Sequence, residues 1–339
     1  MDYHFKNFVF EGGGVKGIAY LGALDVLEQR QILQNIERIG GTSAGAINAV
    51  LLGLNYNTNE VRDIIWSLNF NNFMDNSWGI LKDMKRLKDQ FGWYKGDYFR
   101  NWIARLIKAK TGNSESTFAD IEALKAKKNF RSMYFMGTNL STGFSEVFSA
   151  EHTPSTCIAD AVRISMSIPL FFAAKRSVRG DLYVDGGVLD NFPIKLFDRK
   201  KYIASNRYIC TDYYCKLNDQ FFNPEQAESD FVFNQETLGF RLDSKEEIAT
   251  FRDHTAPPVR EIDNFFDYSW ALINTLLEAQ QSYHLHSDDW ERTIYIDTLG
   301  VKTTDFDLND TQKNALIQSG FKGATAYFEW YDKTKEKTE

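Results

Sequence analysis

Asn7-Phe8-Val9-Phe10-Glu11-Gly12-Gly13-Gly14-Val15-Lys16-Gly17, followed by Ile39-Gly40-Gly41-Thr42-Ser43-Ala44-Gly45, decides the fold class. Each stretch is a short apolar run that stops at glycines and gives way to a helical pattern. After the first, Ile18, Leu21, Leu24 and Leu27 share one helical face; after the second, 44–54 is almost wholly apolar. Two strand–turn–helix units in the first 55 residues predict an α/β fold with a parallel sheet covered by helices.

The first glycine turn has three readings. Gly12-Gly13-Gly14-Val15-Lys16-Gly17 satisfies G-x-G-x-x-G between a strand and a helix, the pattern that places a pyrophosphate at a helix N-terminus. Glu37 lies 20 residues beyond Gly17, but at the start of the second strand; a ribose-binding acid belongs at that strand's carboxyl end. The same amides suit the oxyanion of an acyl-transfer intermediate equally well, since unpaired N–H donors and peptide dipoles point at either anion. A tight turn without a ligand is the third reading.

The second turn narrows the choice. Gly41-Thr42-Ser43-Ala44-Gly45 is G-x-S-x-G at a strand-to-helix junction, where a nucleophilic serine needs small neighbours to expose its hydroxyl on a sharp backbone. The alternative is a serine that only caps the helix. A nucleophilic serine needs a base. None of His4, His152, His254, His284 and His286 has a turn context that suggests one. Asp185, in Tyr183-Val184-Asp185-Gly186-Gly187, ends an apolar strand at a glycine turn, the edge that carries active-site groups in α/β sheets. Asp-Gly-Gly is also a common turn former. To act as a base near neutral pH, Asp185 needs desolvation to raise its proton affinity above the ordinary ~3.9, or a transfer concerted with attack.

With these residues in place the chain resembles the patatin-like phospholipases. Glu11-Gly12-Gly13-Gly14-Val15-Lys16-Gly17 resembles the family's oxyanion loop, D-G-G-G-x-[RK]-G, with Glu11 for the usual Asp. Gly41 to Gly45 resembles its nucleophile elbow, and Asp185-Gly186-Gly187 its D-G-[GA] motif. Ala161-Val162-Arg163-Ile164-Ser165-Met166-Ser167-Ile168-Pro169 is similar to the segment that precedes that motif, with Ile164 for the usual Ala, and Thr138 to Gly143 to a strand-end segment. The match spans about 7–200 in the family's order. The resemblance implies a three-layer α/β/α fold with a mostly parallel central sheet, and hydrolysis of carboxylic esters in phospholipids or other acyl lipids without a cofactor or metal. Carried over, Ser43 attacks the ester, Asp185 serves as base, and the amides of Gly13, Gly14 and Val15 hold the oxyanion. Lys16 is expected in a structural ion pair, and Ser165 and Ser167 as hydrogen-bonding rather than reacting residues. The competing readings are a histidine-dependent hydrolase using His254, His284 or His286, and a nucleotide-binding or regulatory module.

Composition bounds the remainder. The chain has 339 residues, 43% hydrophobic, with 27 Phe, 16 Tyr and 7 Trp, enough for a large core and against global disorder. A net charge of −7 disfavours a nucleic-acid partner, which draws a basic surplus. Cys157, Cys210 and Cys215 are too few for a disulfide scaffold and lack zinc spacing; their odd number suits a reducing compartment. With no apolar run near ~20 residues and no signal-like N-terminus, no transmembrane segment and a cytoplasmic location are expected, export by a signal-less route staying open. A catalytic domain over 1–200 and a C-terminal extension over 201–339, packed on the same domain, are the expected organisation. Further strands are expected at Met133–Met136, Leu182–Val184, Tyr208–Thr211 and Thr293–Ile296, and a helix near Phe265–Leu277. Residues 57–127 read as helical and irregular, without a strand. Within them Trp66, Leu68, Phe70, Phe73, Met74, Trp78, Ile80 and Leu81 form either an entrance for lipid, with nearby Lys82, Lys85, Arg86 and Lys88 meeting head groups, or the core of a helical cap.

Overall fold

The computed structural model describes residues 3–75, 80–177, 179–203, 208–220, 230–245 and 288–336, with isolated positions between 262 and 275. Among them the strands are β1 (Asn7–Phe10), β2 (Arg38–Gly41), β3 (Gly92–Tyr94), β4 (Ser132–Asn139), β5 (Phe144–Ser149), β6 (Leu170–Phe172), β7 (Lys175–Arg176), β8 (Leu182–Asp185), β9 (Tyr208–Ile209), β10 (Phe233–Asn234), β11 (Thr237–Asp243) and β12 (Thr293–Asp297). The helices are α1 (Tyr20–Gln29), α2 (Ala44–Gly53), α3 (Thr58–Trp66), α4 (Ile80–Gln90), α5 (Asp97–Thr111), α6 (Phe118–Lys128), α7 (Ile158–Ser165), α8 (Asp212–Gln220) and α9 (Asp310–Glu336).

The central sheet runs β12-β11-β1-β2-β4-β8-β7, with β5 also paired to β4. The pairs from β12 to β4 are parallel; β8, β7 and β5 add antiparallel pairs. The expected α/β architecture with a mostly parallel sheet is what the chain adopts. Side-chain alternation assigns the faces: Phe8 and Phe10 of β1 and Met133 and Phe135 of β4 enter the large helical core, while Val9 and Tyr134 enter a smaller cluster with Phe192, Ile194, Phe197 and Tyr202. Helices cover one face, and short 3₁₀ turns at Ile194–Phe197 and Lys200–Tyr202 cover the other beside β1 and β4.

β1 lies between β2, which follows it directly, and β11, which the chain reaches only 230 residues later. The chain thus winds one way from β1 and then returns to its other side, which makes the carboxyl end of β1 a topological switch point. Crevices that receive ligands open at such points. α9 closes the helical layer by crossing α1 at glycines: a Cβ on Gly22 would overlap the Ile317 carbonyl, and one on Gly320 the Ala19 carbonyl.

Two strands fall outside the expectations, and three of the side chains read two ways take the core reading. β3 interrupts 57–127, where no strand was expected, and pairs in parallel with β6. β11 is not among the strands expected beyond residue 200. Leu68, Phe70 and Phe73 are buried, and Phe73 packs on Phe99 and Trp102 while Phe70 stacks on Phe306, so these three belong to the core. Met74 is half-buried, whereas Trp78 and the side chains of Ile80 and Leu81 lie outside the described residues, as does most of the helix expected near Phe265–Leu277. Cys210 and Cys215 form a disulfide with Cα atoms 5.9 Å apart, a single local link.

Candidate active site

Ser43 sits between the end of β2 and the start of α2 with φ 51° and ψ −123°. Glycine takes this conformation without penalty at the first central position of a type II′ turn, and a side chain there is strained. The flanking glycines let the turn fold onto itself. A Cβ on Gly41 would overlap the Gly45 backbone, and one on Gly45 would overlap the Phe10 carbonyl of β1. The Ser43 N–H donates to Ser165 Oγ at 3.0 Å, and Ser43 Oγ lies 3.6 Å from Met166 Sδ.

Strand register brings Asp185 to the level of Ser43. Gly41 of β2 pairs with Phe135 of β4, and Gly137, two residues further along β4, pairs with Asp185 of β8. Ser43 is likewise two residues beyond Gly41. Because β8 is antiparallel to β4, the rule for carboxyl ends of parallel strands does not place Asp185; a strand of only four residues does, by stopping at the height of the serine turn. The Asp185 N–H donates to the Ser167 carbonyl at 2.8 Å, and its Oδ1 accepts the Gly187 N–H at 2.8 Å. Oδ2 is fully buried and makes no hydrogen bond among the described residues. Burial pushes this carboxyl up to about 7, against the opposing pull of the Gly187 amide, the neighbouring Ser43 hydroxyl and the Arg163 guanidinium. The serine thus lies close enough to be felt by the acid, although its Oγ is turned toward Met166.

Arg163 stands behind the acid. It is buried and donates to the carbonyls of Gly96, Lys95 and Ala173, and to Ser167 Oγ at 2.5 Å. Ser167 in turn anchors the Asp185 backbone. Ser165 and Ser167 therefore hold positions by hydrogen bonding, as read from the sequence.

The glycine loop lies beside the serine turn. The nearest Ser43 atom to a Cβ built on Gly12 would be its own Cβ, at 3.0 Å, and Gly17 packs toward Ala44. Four amides have different fates. Gly12 N–H donates to the Asn191 carbonyl at 3.0 Å and Val15 N–H to the Thr303 carbonyl at 3.2 Å, while those of Gly13 and Gly14 meet no acceptor among the described residues. Gly14 has φ +55°, and a Cβ there would overlap Thr303. Gly186 and Gly187 form a 3₁₀ turn after Asp185, Gly186 against the Met136 carbonyl and Gly187 against Asn191. Lys16 makes no ion pair among the described residues; its charge acts at a distance on Glu11.

Asn191 and Glu11 organise this corner, and sequence reasoning assigned neither a role. Asn191 Nδ2 donates to the Gly12 carbonyl at 3.1 Å and to Glu11 Oε1 at 3.3 Å, which ties the glycine loop to the turn after Asp185. Glu11 Oε2 accepts the Leu242 N–H at 2.7 Å, beside the buried Arg241–Asp243 pair, and burial raises its pKa. The signal for Asn191 was its place six residues after Asp185; nothing in the sequence showed where that turn leads.

Other candidates disperse. Glu37 precedes β2, at the opposite edge of the sheet from the loop, and pairs with Lys6 at 3.3 Å and Arg38 at 3.6 Å. His254, His284 and His286 lie outside the described residues, while His152 Nδ1 meets Ser149 Oγ at 2.8 Å. Glu115, Cys157 and Asp160 gather donor atoms, but the Arg100 guanidinium already binds both carboxylates.

The chain is 29% identical over 326 residues to the uncharacterized protein YqhO of Bacillus subtilis (strain 168), covering 92% of this chain and 94% of that protein. It is 25% identical over 193 residues to the probable lipid hydrolase 463L of Invertebrate iridescent virus 6, covering 57% and 63%. The crystal structure of VipD from Legionella pneumophila aligns with a TM-score of 0.59 at 18% identity, over 96% of this chain and 67% of that one, a likeness of fold. Residues 8–198, more than half of the chain, match the family model described as patatin-like phospholipase, and the chain belongs to that family of lipid hydrolases.

Proposed function

We propose that the protein hydrolyses carboxylic esters of phospholipids or other acyl lipids through a Ser43 acyl-enzyme, with Asp185 as base. Ser43 Oγ attacks the ester carbonyl while its proton passes to Asp185 Oδ2. The carbonyl oxygen becomes an oxyanion held by the open amides of Gly13 and Gly14, and by that of Val15 once it leaves Thr303. Collapse of the tetrahedral species breaks the bond to the alcohol, which takes the proton from Asp185. Water then attacks the acyl-enzyme and gives a proton to Asp185, which passes it to Ser43 Oγ as the acyl bond breaks, releasing the fatty acid and restoring both residues.

The observation that carries this reading is the state of Asp185: a buried carboxyl with one unsatisfied oxygen, level with a strained serine and raised to about 7. Asp190 shares the burial, an unbonded oxygen and a pKa pushed up to about 7, so what distinguishes Asp185 is its place level with the strained serine. A general base works best with a pKa near the operating pH. The nucleotide reading has little support, because Glu37, its candidate ribose-binding acid, precedes β2 at the opposite edge of the sheet from the glycine loop. Fluorophosphonate labelling followed by peptide mapping tests the assignment. The adduct is expected on Ser43 and lost in Ser43→Ala, and phospholipase or esterase activity should disappear in Ser43→Ala and Asp185→Asn with the fold intact. Full activity in either variant would remove the dyad.

A further inference from the structure

β4 has neighbours on both of its edges: β2 and then β8 along one, β5 along the other. Leu140-Ser141-Thr142-Gly143 turns the chain from β4 into β5, and a second turn, from Ser177 to Asp181, leads from β7 into β8. The two turns sit side by side, because the Leu140 N–H donates to the Leu182 carbonyl at 2.8 Å and the Leu182 N–H to Ser141 Oγ at 2.9 Å. Gly137, paired with Asp185, marks the level of Ser43. Leu140 lies three residues further along, so both turns project about 10 Å past the serine at the same end of the sheet.

The first turn is apolar at its tip. Phe144 is 70% exposed, more than any other large apolar side chain among the described residues, and Leu140 is 51% exposed. Leu189, in the turn that follows Asp185, is exposed as well. Single surface leucines need no explanation, but apolar side chains gathered at the end that carries the reacting residues mark an interaction site. The tip backbone is satisfied from within. The Ser141 and Thr142 N–H groups donate to Asn139 Oδ1 at 2.9 and 3.2 Å, and the Gly143 N–H to the Asn139 carbonyl at 2.8 Å. Such a turn enters a medium poor in water without leaving those donors unpaired.

The neighbouring turn adds positive charge. Arg176 and Arg179 are exposed there, and Arg176 donates to the Gly180 carbonyl at 3.0 Å, which orients its guanidinium and leaves the charge in place. Of the acids close by, Asp181 is half-buried, and Glu146 accepts from Asn139 and from Tyr183, each at 2.7 Å. Aromatic and aliphatic side chains beside arginine suit the boundary of an anionic bilayer, where the first meet acyl chains and the second meet phosphates. Surfaces of this kind settle about 5–10 Å into that boundary, which leaves Ser43 within roughly 5 Å of the level of the acyl esters.

We propose that the paired hairpin tips dock the protein on an anionic lipid surface, Leu140 and Phe144 entering the acyl boundary while Arg176 and Arg179 meet lipid phosphates. This docking face rests on the lipid-ester reading above, but binding itself needs no Ser43 hydroxyl.

The test uses the full chain carrying Ser43→Ala, in sedimentation with vesicles of phosphatidylcholine alone or mixed with phosphatidylserine. Binding is expected on the mixed vesicles and should weaken about tenfold or more in Leu140→Ser/Phe144→Ser, since two apolar side chains leave the lipid boundary. Arg176→Gln/Arg179→Gln should weaken it about tenfold and remove the preference for phosphatidylserine. Trp290→Ser, an exposed aromatic just before the amino end of β12, should bind as the parent does. With Ser43 restored, both tip variants are expected to hydrolyse a dissolved short-chain ester at the wild-type rate. An inactive wild-type chain that still binds vesicles through the tips would remove the ester reading and leave the docking face standing. Should circular dichroism show Leu140→Ser/Phe144→Ser misfolded, the arginine pair decides alone. Binding that is absent, equal on both vesicle types, unmoved by the tip variants or weakened alike by Trp290→Ser overturns the proposal. So does light scattering that finds a dimer dissolved by Leu140→Ser/Phe144→Ser, which would give the tips to a second copy.

Discussion

Ser43 and Asp185 each make a stability prediction as well as a catalytic one. The strained backbone at Ser43 belongs to the site, so Ser43→Gly is expected to be about 1 kcal/mol more stable than Ser43→Ala in denaturant titrations, both being inactive, because only glycine relieves a positive φ. Asp185 holds its proton to about 7 in the fold against 3.8 in the unfolded chain, so the folded state is favoured at low pH and loses that advantage as pH rises through 7. Asp185→Asn, which cannot ionise, should therefore exceed the wild type in stability at pH 8 by up to about 4 kcal/mol, with the gap closing toward pH 4. Equal urea midpoints at both pH values would show that the acid is not desolvated. The same titration sets the rate. kcat/KM should fall tenfold per pH unit below about 7, where Asp185 is protonated and cannot accept the serine proton.

Elements enter the site through a few buried polar residues and close crossings. Arg163 on α7 gathers three carbonyls and Ser167 Oγ, joining the β3–β6 pair to the segment that anchors Asp185. Arg163→Met leaves those acceptors unpaired and should cost about 3 kcal/mol or more, seen as a lowered unfolding midpoint. Where α9 crosses α1, the backbones approach too closely for any side chain at Gly22 or Gly320. Gly320→Leu is expected to destabilise by roughly 3 kcal/mol, near the upper end for overpacking, because the obstacle is the Ala19 carbonyl rather than a movable side chain. Retention of the wild-type midpoint in that variant would mean that the helices separate at little cost.

At the scale of the molecule, the family match ends at residue 198, yet β11 and β12 lie beyond it and complete the sheet on the far side of β1. Phe10 stacks on Phe240 across that pair with ring centroids 4.5 Å apart. A fragment of residues 1–200 would expose the β1 edge and that aromatic face, so it is expected to aggregate or to lack a cooperative unfolding transition in calorimetry. β11 escaped reading because Gly239, Arg241 and Asp243 break its apolar run; they are buried there, the two charges as a pair. β3 escaped because three residues carry no periodicity. The aromatics at 68–73 looked equally suited to a lipid entrance, and only Phe99, Trp102 and Phe306, distant in sequence, draw them into the core. The chain's own order of residues determined the parallel α/β plan, the serine elbow, the glycine loop and the acidic turn, because each is written in local spacing that backbone sterics dictate. Only the tertiary structure decided that β8 stops level with Ser43, that Asn191 clasps the glycine loop, and that Thr303 lies on Val15. Register, burial and contacts between remote segments arise when the whole chain packs, and no local pattern encodes them.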